Sequence, residues 1–161
     1  LKLINNAFQL RLLLEREAAI RFTTSVPDAE LAAIEQAHLD IVRRARQGPI
    51  DNQLLSDATM VDWGLHDLMI DASKNELISD VYRINSLRVR LIKLEGTTLS
   101  ADVLLSAMEE HLWFLDAVKQ RDPQAAAQRL NHHIESAHHR VLGLPRPVTP
   151  WSLENLVEIP S

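Results

Sequence analysis

The stretch DATMVDWGLHDLM, residues 57–69, decides how the fold of this chain is first interpreted. At about 100° per residue, the helix that it predicts carries Leu65 and Met69 on one apolar side. Asp62 falls near the middle of that apolar side, and His66 lies one turn further along. Because a carboxylate buried without a partner is very costly, the placement predicts a partner for Asp62 inside the protein.

The rest of the chain also favours helix. It has 161 residues, of which 46% are hydrophobic and 24% charged, as expected of one globular domain. Only 4 Gly and 7 Pro occur, and most of the Pro lie at or after Pro123, so the first 120 residues are nearly free of helix breakers. Short connections between long helices predict an all-α, antiparallel bundle.

Six helices are predicted from the apolar periodicity and the breakers. They cover approximately residues 3–24, 27–47, 51–72, 75–95, 101–121 and 123–142. Ser25 is the expected N-cap of the second helix, with Pro27 in its first turn, and Asp122 caps the sixth, with Pro123 at its first position. Residues 1–142 thus form one helical domain, and 143–161 an extended tail with one short helical turn at most.

Composition excludes several classes of protein. The absence of Cys excludes disulfides and thiolate metal sites. A net charge of −5 without a basic stripe makes the chain a poor nucleic-acid binder by itself. No apolar run approaches the roughly 20 residues of a membrane span and no signal peptide is evident, which favours the cytoplasm. The chain starts inside a helical pattern without Met, so we interpret it as a piece of a longer protein.

Two further helices carry a histidine on an apolar face. His111 lies among Leu104, Met108 and Leu115, and His133 shares a face with Leu130. With Asp62 and His66 they form a nitrogen and oxygen set suited to a divalent transition metal: zinc is expected first, with nickel or another metal as alternatives. The alternative is that these groups only hydrogen-bond to one another in the core.

Other polar residues are also predicted to face inward. Arg11 and Glu15 lie on the apolar side of the first helix, and Asn85 and Arg88 on that of the fourth. In one interpretation Arg11 and Glu15 form a buried ion pair and Asn85 is a core amide. In the other, these residues line a cavity in which Arg11 or Arg88 binds a carboxylate. The residues favour neither interpretation.

The remaining histidines and two tryptophans give weaker signals. His38 is expected at the surface or at the boundary of the core, and the other histidines are expected to be mostly solvated; these are His132, His138 and His139. Trp63 and Trp113 fall off the core faces of their helices, which indicates either an interface or a partly covered surface position.

Three segments, in order, resemble one known family. FQLRLLLEREAAIRF (8–22), DWGLHDLMIDASKNELI (62–78) and EEHLWFLDAVKQRDPQAAAQRLNHHI (109–134) are similar to the signature stretches of the FCD domain. This is the C-terminal effector-binding domain of FadR-type regulators in the GntR transcription-factor family. Leu65 replaces the usual Phe and Leu130 the usual Met, which are changes in packing.

The resemblance implies a bundle of six to seven helices with a central metal and effector cavity. The family's metal positions correspond to Asp62, His66, His111 and His133 in this chain. Members bind small carboxylates, are usually dimers, and contact operator DNA through an N-terminal winged helix-turn-helix that this chain lacks.

Three hypotheses follow. The favoured one is a non-enzymatic ligand sensor, in which the metal and a cationic residue, Arg11 or Arg88, bind a small organic acid, with Asn85 as a further effector-binding residue. The second is a hydrolase-like metalloenzyme that uses the three histidines and Asp62 on such an acid. The third is a structural bundle without a metal.

Overall fold

The structure, a computed structural model, describes residues 1–96 and 101–152. Six helices are present in that part of the chain. They are α1 Lys2–Ser25, α2 Asp28–Gln47, α3 Asn52–Asp71, α4 Glu76–Gly96, α5 Ala101–Lys119 and α6 Pro123–Leu142. No strand occurs among the described residues. The predicted all-α fold is therefore confirmed, with most helix ends within one or two residues of their expected positions.

Two helix starts show why the boundaries were predictable. The Asp122 side chain accepts hydrogen bonds from the backbone N–H of Gln124 and Ala125, and Pro123 follows at the first helical position. The Asp51 side chain accepts from the Leu54 N–H at the start of α3. These side chains satisfy N–H groups that the first turn of a helix leaves unpaired.

The expected cap at Ser25 is wrong. Ser25 is the last residue of α1, and Pro27 is the N-cap of α2, without a side-chain hydrogen bond. Val26 between them is extended, with φ −65° and ψ 129°, because a residue that precedes proline avoids the helical region. The helix break therefore comes from Pro27 and not from a capping serine.

The helices pack so that four of them surround one interior. Helix α1 contacts α3, α4 and α6, and α5 lies between α2 and α6. The largest fully buried apolar side chains come from four helices: Phe8, Phe22, Leu65, Met69, Ile70, Met108, Leu112, Phe114, Leu115, Leu130 and Ile134. Each contributes about 1.5–3 kcal/mol by leaving water, so the interior that holds the polar groups described below is a well-packed one.

Helix α4 buries a different face from the one expected. Tyr82, Asn85 and Val89 point inward, whereas Arg88 is exposed. The expectation that Arg88 faces the interior is wrong because the more apolar side of this helix lies outside. Its buried side includes Ser79 and Ser86 in addition to Tyr82.

The chain turns sharply after α6. Gly143 adopts the left-handed conformation (φ 67°) that ends the helix, and the Leu144 N–H donates to the His139 carbonyl. Residues 144–152 contain no helix, and Trp151 packs partly against the core. Residues 153–161 lie outside the described residues, so the short turn expected in the tail stays a prediction for them. No helix of the described residues is long and apolar enough to cross a membrane.

Candidate metal centre

Four side chains from three helices converge in the interior. Asp62 and His66 come from α3, His111 from α5 and His133 from α6, and all four are buried. One donor atom from each lies within 4.8 Å of the donor atoms of the others. The i,i+4 spacing on α3 brings its two groups to one face, and the packing of α3, α5 and α6 brings in the other two. The four residues selected by face analysis are therefore neighbours in space.

His66 has its outer nitrogen fixed by α1. Its Nδ1 is hydrogen-bonded to Glu15 Oε2, and its Nε2 lies 3.0 Å from Arg11 Nη2. A guanidinium only donates hydrogen bonds, so Nε2 must be the accepting nitrogen and the ring proton must lie on Nδ1. The lone pair of His66 Nε2 therefore accepts from Arg11 in this structure, and a metal bound to that nitrogen would displace this hydrogen bond.

His133 is held in the same way by Glu110. Its Nδ1 lies 2.8 Å from Glu110 Oε2, and Arg140 contacts both carboxylate oxygens of Glu110 at 3.2 Å. A carboxylate paired with an arginine accepts hydrogen bonds, so the proton of His133 is on Nδ1 and its Nε2 carries the lone pair. Glu110 is buried and was not identified from the sequence, where it stands beside Glu109 and suggests a solvated acidic pair.

His111 is oriented by another histidine. His38 Nδ1 lies 2.8 Å from the Ile34 carbonyl, which can only accept, so His38 Nε2 is an acceptor. His111 Nδ1 lies 3.0 Å from that nitrogen and must donate to it. His111 Nε2 therefore also carries a lone pair that faces the cluster.

The expectation that His38 lies at the surface or boundary is wrong. It is 1% exposed and is one of the largest fully buried side chains. The sequence contains a signal that favours burial of His38: Leu31, Ile34 and Ile41 share its helical face and are buried with it. One histidine on an apolar face does not by itself distinguish a position in the core from one at its boundary, and so the sequence alone does not place His38.

The proton positions show what the cluster can bind. His111 Nε2 lies 3.1 Å from His133 Nε2 and 3.4 Å from Asp62 Oδ1. With the ring protons on the Nδ1 atoms, no proton lies between these electron-rich atoms. Burial lowers the pKa of His111 and His133 well below the usual 6.5, so both rings are neutral near pH 7. Neutral imidazoles and a carboxylate whose donor atoms converge on one point suit the coordination of a divalent transition metal.

Arg11 and Glu15 form a buried ion pair beside these donor atoms, which is one of the two alternatives that the sequence left open. Arg11 Nε lies 2.6 Å from Glu15 Oε1, and both side chains are buried. Burial alone would raise the pKa of Glu15, but Arg11 and His66 outweigh it and lower that pKa to about 2. Arg11 Nη1 is buried and makes no hydrogen bond to the described residues. The ion pair therefore leaves one donor nitrogen able to bind an anion.

The other two predicted effector residues are placed differently from Arg11. Asn85 is buried, and its amide donates to the Ala7 carbonyl at 2.8 Å, as a core amide would. Arg88 is exposed on the far side of α4. Arg90, which sequence reasoning missed, is the arginine of α4 that approaches the site. Its guanidinium lies 4.4 Å from the centre of the Trp63 ring, and that of Arg11 lies 5.7 Å from the same ring.

A cleft between α3 and α4 opens beside Arg90. Its volume is about 470 Å³, and it is lined by Asp67, Asp71, Tyr82, Arg83, Ser86, Leu87 and Arg90. Arg90 Nη2 lies 3.2 Å from Asp67 Oδ2 across the cleft, and Arg90 Nε is buried without a hydrogen bond to the described residues.

Trp63 and Trp113 are both half-buried, each beside an arginine. Arg129 lies 5.3 Å from the Trp113 ring and donates to the Trp113 carbonyl at 2.7 Å. The remaining histidines are partly covered rather than solvated. His132 contacts Thr149 Oγ1 at 3.1 Å, and His138 stacks on Phe8.

Comparison with known proteins places the chain in a family. The model of the FCD domain matches residues 6–136. A solved structure described as the "Metal-free FCD domain of TM0439 a putative transcriptional regulator" has the same fold, with a TM-score of 0.64 and 20% sequence identity. That match covers 88% of this chain and 90% of the other. No curated protein matches the chain significantly.

Proposed function

The chain belongs to the FCD domain family, and we propose that it is the ligand-sensing domain of a transcription regulator. In this proposal the domain binds a divalent transition metal and a small carboxylate effector, and does not act as an enzyme. The observation that carries the proposal is the convergence of one carboxylate oxygen and three histidine ring nitrogens. The ring protons of these histidines are held on the outer nitrogens by Glu15, His38 and Glu110.

The metal would be held by the four residues of the cluster. Three histidine nitrogens and one carboxylate oxygen form a set that zinc, nickel and similar ions accept, and zinc is proposed first. The bound ion would supply a positive centre for a carboxylate oxygen of the effector. Glu15, His38 and Glu110 would keep the histidine lone pairs aimed at the ion, which is the ordinary role of the residues behind metal ligands.

The effector would bind between the metal and Arg11. Arg11 Nη1 supplies a buried donor without a partner among the described residues, and a buried carboxylate requires such a donor. We propose that the cleft between α3 and α4 is the entrance, because Arg11 and Arg90 flank the same Trp63 ring. Arg90 therefore takes the role that sequence reasoning gave to Arg88, and Asn85 would keep the Ala7 segment of α1 in place.

Effector binding would reach DNA through a separate N-terminal domain in the parent protein. Arg11 and Glu15 lie on α1, so the occupied and empty states differ in what this first helix contacts. An effector changes operator affinity only if it binds two states of the regulator with different affinities. A regulator of this kind acts in the cytoplasm.

A metalloenzyme is the alternative, since a metal with open positions can activate water. Such a reaction needs a general base close to the metal. The buried carboxylates of Glu15 and Glu110 are each bound to a histidine ring and to an arginine. These pairings favour a binding site over a catalytic one.

Calorimetry on the metal-loaded chain tests the proposal. We expect saturable, one-site binding of at least one member of a panel of hydroxy acids, sugar acids, amino acids and dicarboxylates, and loss of that binding in the metal-free chain. Turnover of a bound acid by the loaded chain would instead support the enzyme. Binding of the same acid with equal affinity by the metal-free chain would remove the metal from the proposal.

A further inference from the structure

Three residues of α4 that line the cleft between α3 and α4 each carry a buried polar atom without a hydrogen bond to the described residues. These atoms are the hydroxyl oxygens of Tyr82 and Ser86 and the Nε of Arg90. The side chains of Tyr82 and Ser86 are buried, at 3% and 7% exposure. Native proteins rarely leave buried polar groups unpaired, because each one lowers the stability of the fold. Three such atoms on one wall indicate that a bound molecule completes them.

Tyr82 lies between the cleft and the ion pair beside the metal cluster. Burial and the nearby Glu15 carboxylate raise the pKa of Tyr82 above its usual 10, and Arg11 and Asp67 also interact with its hydroxyl. The hydroxyl is therefore protonated and is able both to donate and to accept a hydrogen bond. Because Arg11 and Glu15 belong to the ion pair and Asp67 lines the cleft, a molecule that extends from Arg11 into the cleft passes Tyr82.

The charged residues of the cleft are already paired with one another. Arg90 Nη2 lies 3.2 Å from Asp67 Oδ2, and Arg83 Nη2 lies 3.2 Å from Asp71 Oδ1. These four are the charged residues of the described lining. A second carboxylate in the cleft would face both aspartates, and an amine would face both arginines. The part of a ligand that occupies the cleft is therefore expected to be uncharged.

The three unpaired atoms form a row that suits hydroxyl groups. Tyr82, Ser86 and Arg90 are four residues apart, so they follow one side of α4 at intervals of about 6 Å. Arg90 Nε only donates, whereas the two side-chain hydroxyls donate and accept. A ligand hydroxyl can accept from Nε and also exchange hydrogen bonds with Tyr82 or Ser86. An apolar chain would leave all three atoms unpaired, which a binding site of this kind penalises.

We propose that Tyr82, Ser86 and Arg90 form a subsite for hydroxyl groups of the effector, and that the effector is a monocarboxylic acid with several hydroxyl groups along its carbon chain. The inference rests on the proposed function, because the carboxylate end of this acid would bind the metal and Arg11. It selects one chemical class among small acids, and it assigns ligand contacts to Tyr82 and Ser86.

Matched pairs of acids test the chemical class by calorimetry on the zinc-loaded chain. Gluconate and hexanoate have carbon chains of the same length and one carboxylate each, as do glycerate and propionate, and only the first acid of each pair carries hydroxyl groups. We expect the hydroxylated acid of at least one pair to bind tighter by about tenfold or more. Glucarate, which adds a second carboxylate to gluconate, should bind more weakly than gluconate.

The outcomes separate this subsite from the proposed function. Binding of hexanoate and propionate as tightly as their hydroxylated partners, or tighter binding of glucarate than of gluconate, overturns the subsite and leaves a carboxylate sensor. Absence of binding by every acid, with zinc bound, overturns both proposals.

Two variants test the residues with little change in shape. Tyr82→Phe and Ser86→Ala each remove one hydroxyl, and we expect each to weaken binding of the preferred hydroxylated acid roughly fivefold while zinc affinity is unchanged. Ser79→Ala is the matched control, because Ser79 is buried on the same helix outside the described lining of the cleft, and it should bind the acid as the wild type does. Wild-type affinity in both Tyr82→Phe and Ser86→Ala would show that ordered water completes these hydroxyls, which overturns the proposal.

Discussion

His38 Nε2 accepts the Nδ1 proton of His111 at 3.0 Å, and this contact directs the other nitrogen of His111 into the cluster. The acceptor role of His38 is itself fixed by the Ile34 carbonyl. His38, which is not one of the four candidate ligands, thus determines which atom His111 offers to a metal. The cluster therefore depends on a second layer of residues that comes from α1, α2 and α5.

Removing the second layer should weaken metal binding without removing it. In His38→Ala, His111 loses its acceptor and can turn or change tautomer, so we expect metal affinity to fall by about 10–100-fold. His38→Gln retains an oxygen acceptor and should recover part of that loss. Competition with a chromophoric chelator measures both, and His132→Ala, outside the cluster, should bind as the wild type does. Wild-type affinity in His38→Ala would show that the contact is not needed.

Chelation should destabilise the chain. A metal present at a thousand times its dissociation constant stabilises a protein by about 4 kcal/mol, which for a chain of this length corresponds to roughly 8–16 °C in melting temperature. Scanning calorimetry with and without chelator measures the difference, and added zinc should reverse it. An unchanged melting temperature in chelator would favour the purely structural bundle.

The buried and the exposed arginine–glutamate pairs of α1 should differ sharply in how much each contributes to the free energy of unfolding. Arg11→Ala leaves Glu15 buried with one partner fewer, so we expect the free energy of unfolding to fall by about 3–5 kcal/mol. Arg21→Ala is the matched control: Arg21 and Glu17 form the same i,i+4 pair at the surface, where loss is worth less than about 1 kcal/mol. Denaturant unfolding compares the two, and similar effects would contradict the buried role of Arg11.

The two arginines of α4 should differ in their effect on acid binding. Arg90→Ala removes the guanidinium beside Trp63 and the cleft, and we expect binding of the tightest acid of the panel to weaken by about tenfold, as loss of one charged hydrogen bond does. Arg88→Ala is the matched control and should leave acid binding unchanged, because Arg88 is exposed on the other side of the helix. Calorimetry on both variants tests this, and weaker acid binding in Arg88→Ala but not in Arg90→Ala would reverse the assignment.

The sequence predicted the helices because their breaks are local. Pro123 after Asp122 and the Gly48–Pro49 pair mark chain positions that cannot continue a helix, whatever packs around them. The convergence of Asp62 with His111 was also predictable, because polar side chains on apolar faces of separate helices must meet in one interior. The long-range packing then only had to bring together faces that were already identified.

The errors arose where the packing partner decides the outcome. The sequence predicts Arg88 inward because the more apolar side of a helix usually faces the core, whereas α4 buries its more polar side. Glu110 was missed because its role depends on His133 and Arg140, which are distant in sequence. His38 shows the same limit, since only the packing of α2 on α5 brings it to His111.

The metal content of the purified chain tests the central claim most directly. We expect elemental analysis after dialysis to find close to one divalent transition metal per wild-type chain, and His133→Ala to retain almost none while His138→Ala retains it fully. Wild-type protein that contains no metal, and takes up none when zinc or nickel is supplied, would contradict the claim that Asp62, His66, His111 and His133 form a metal site.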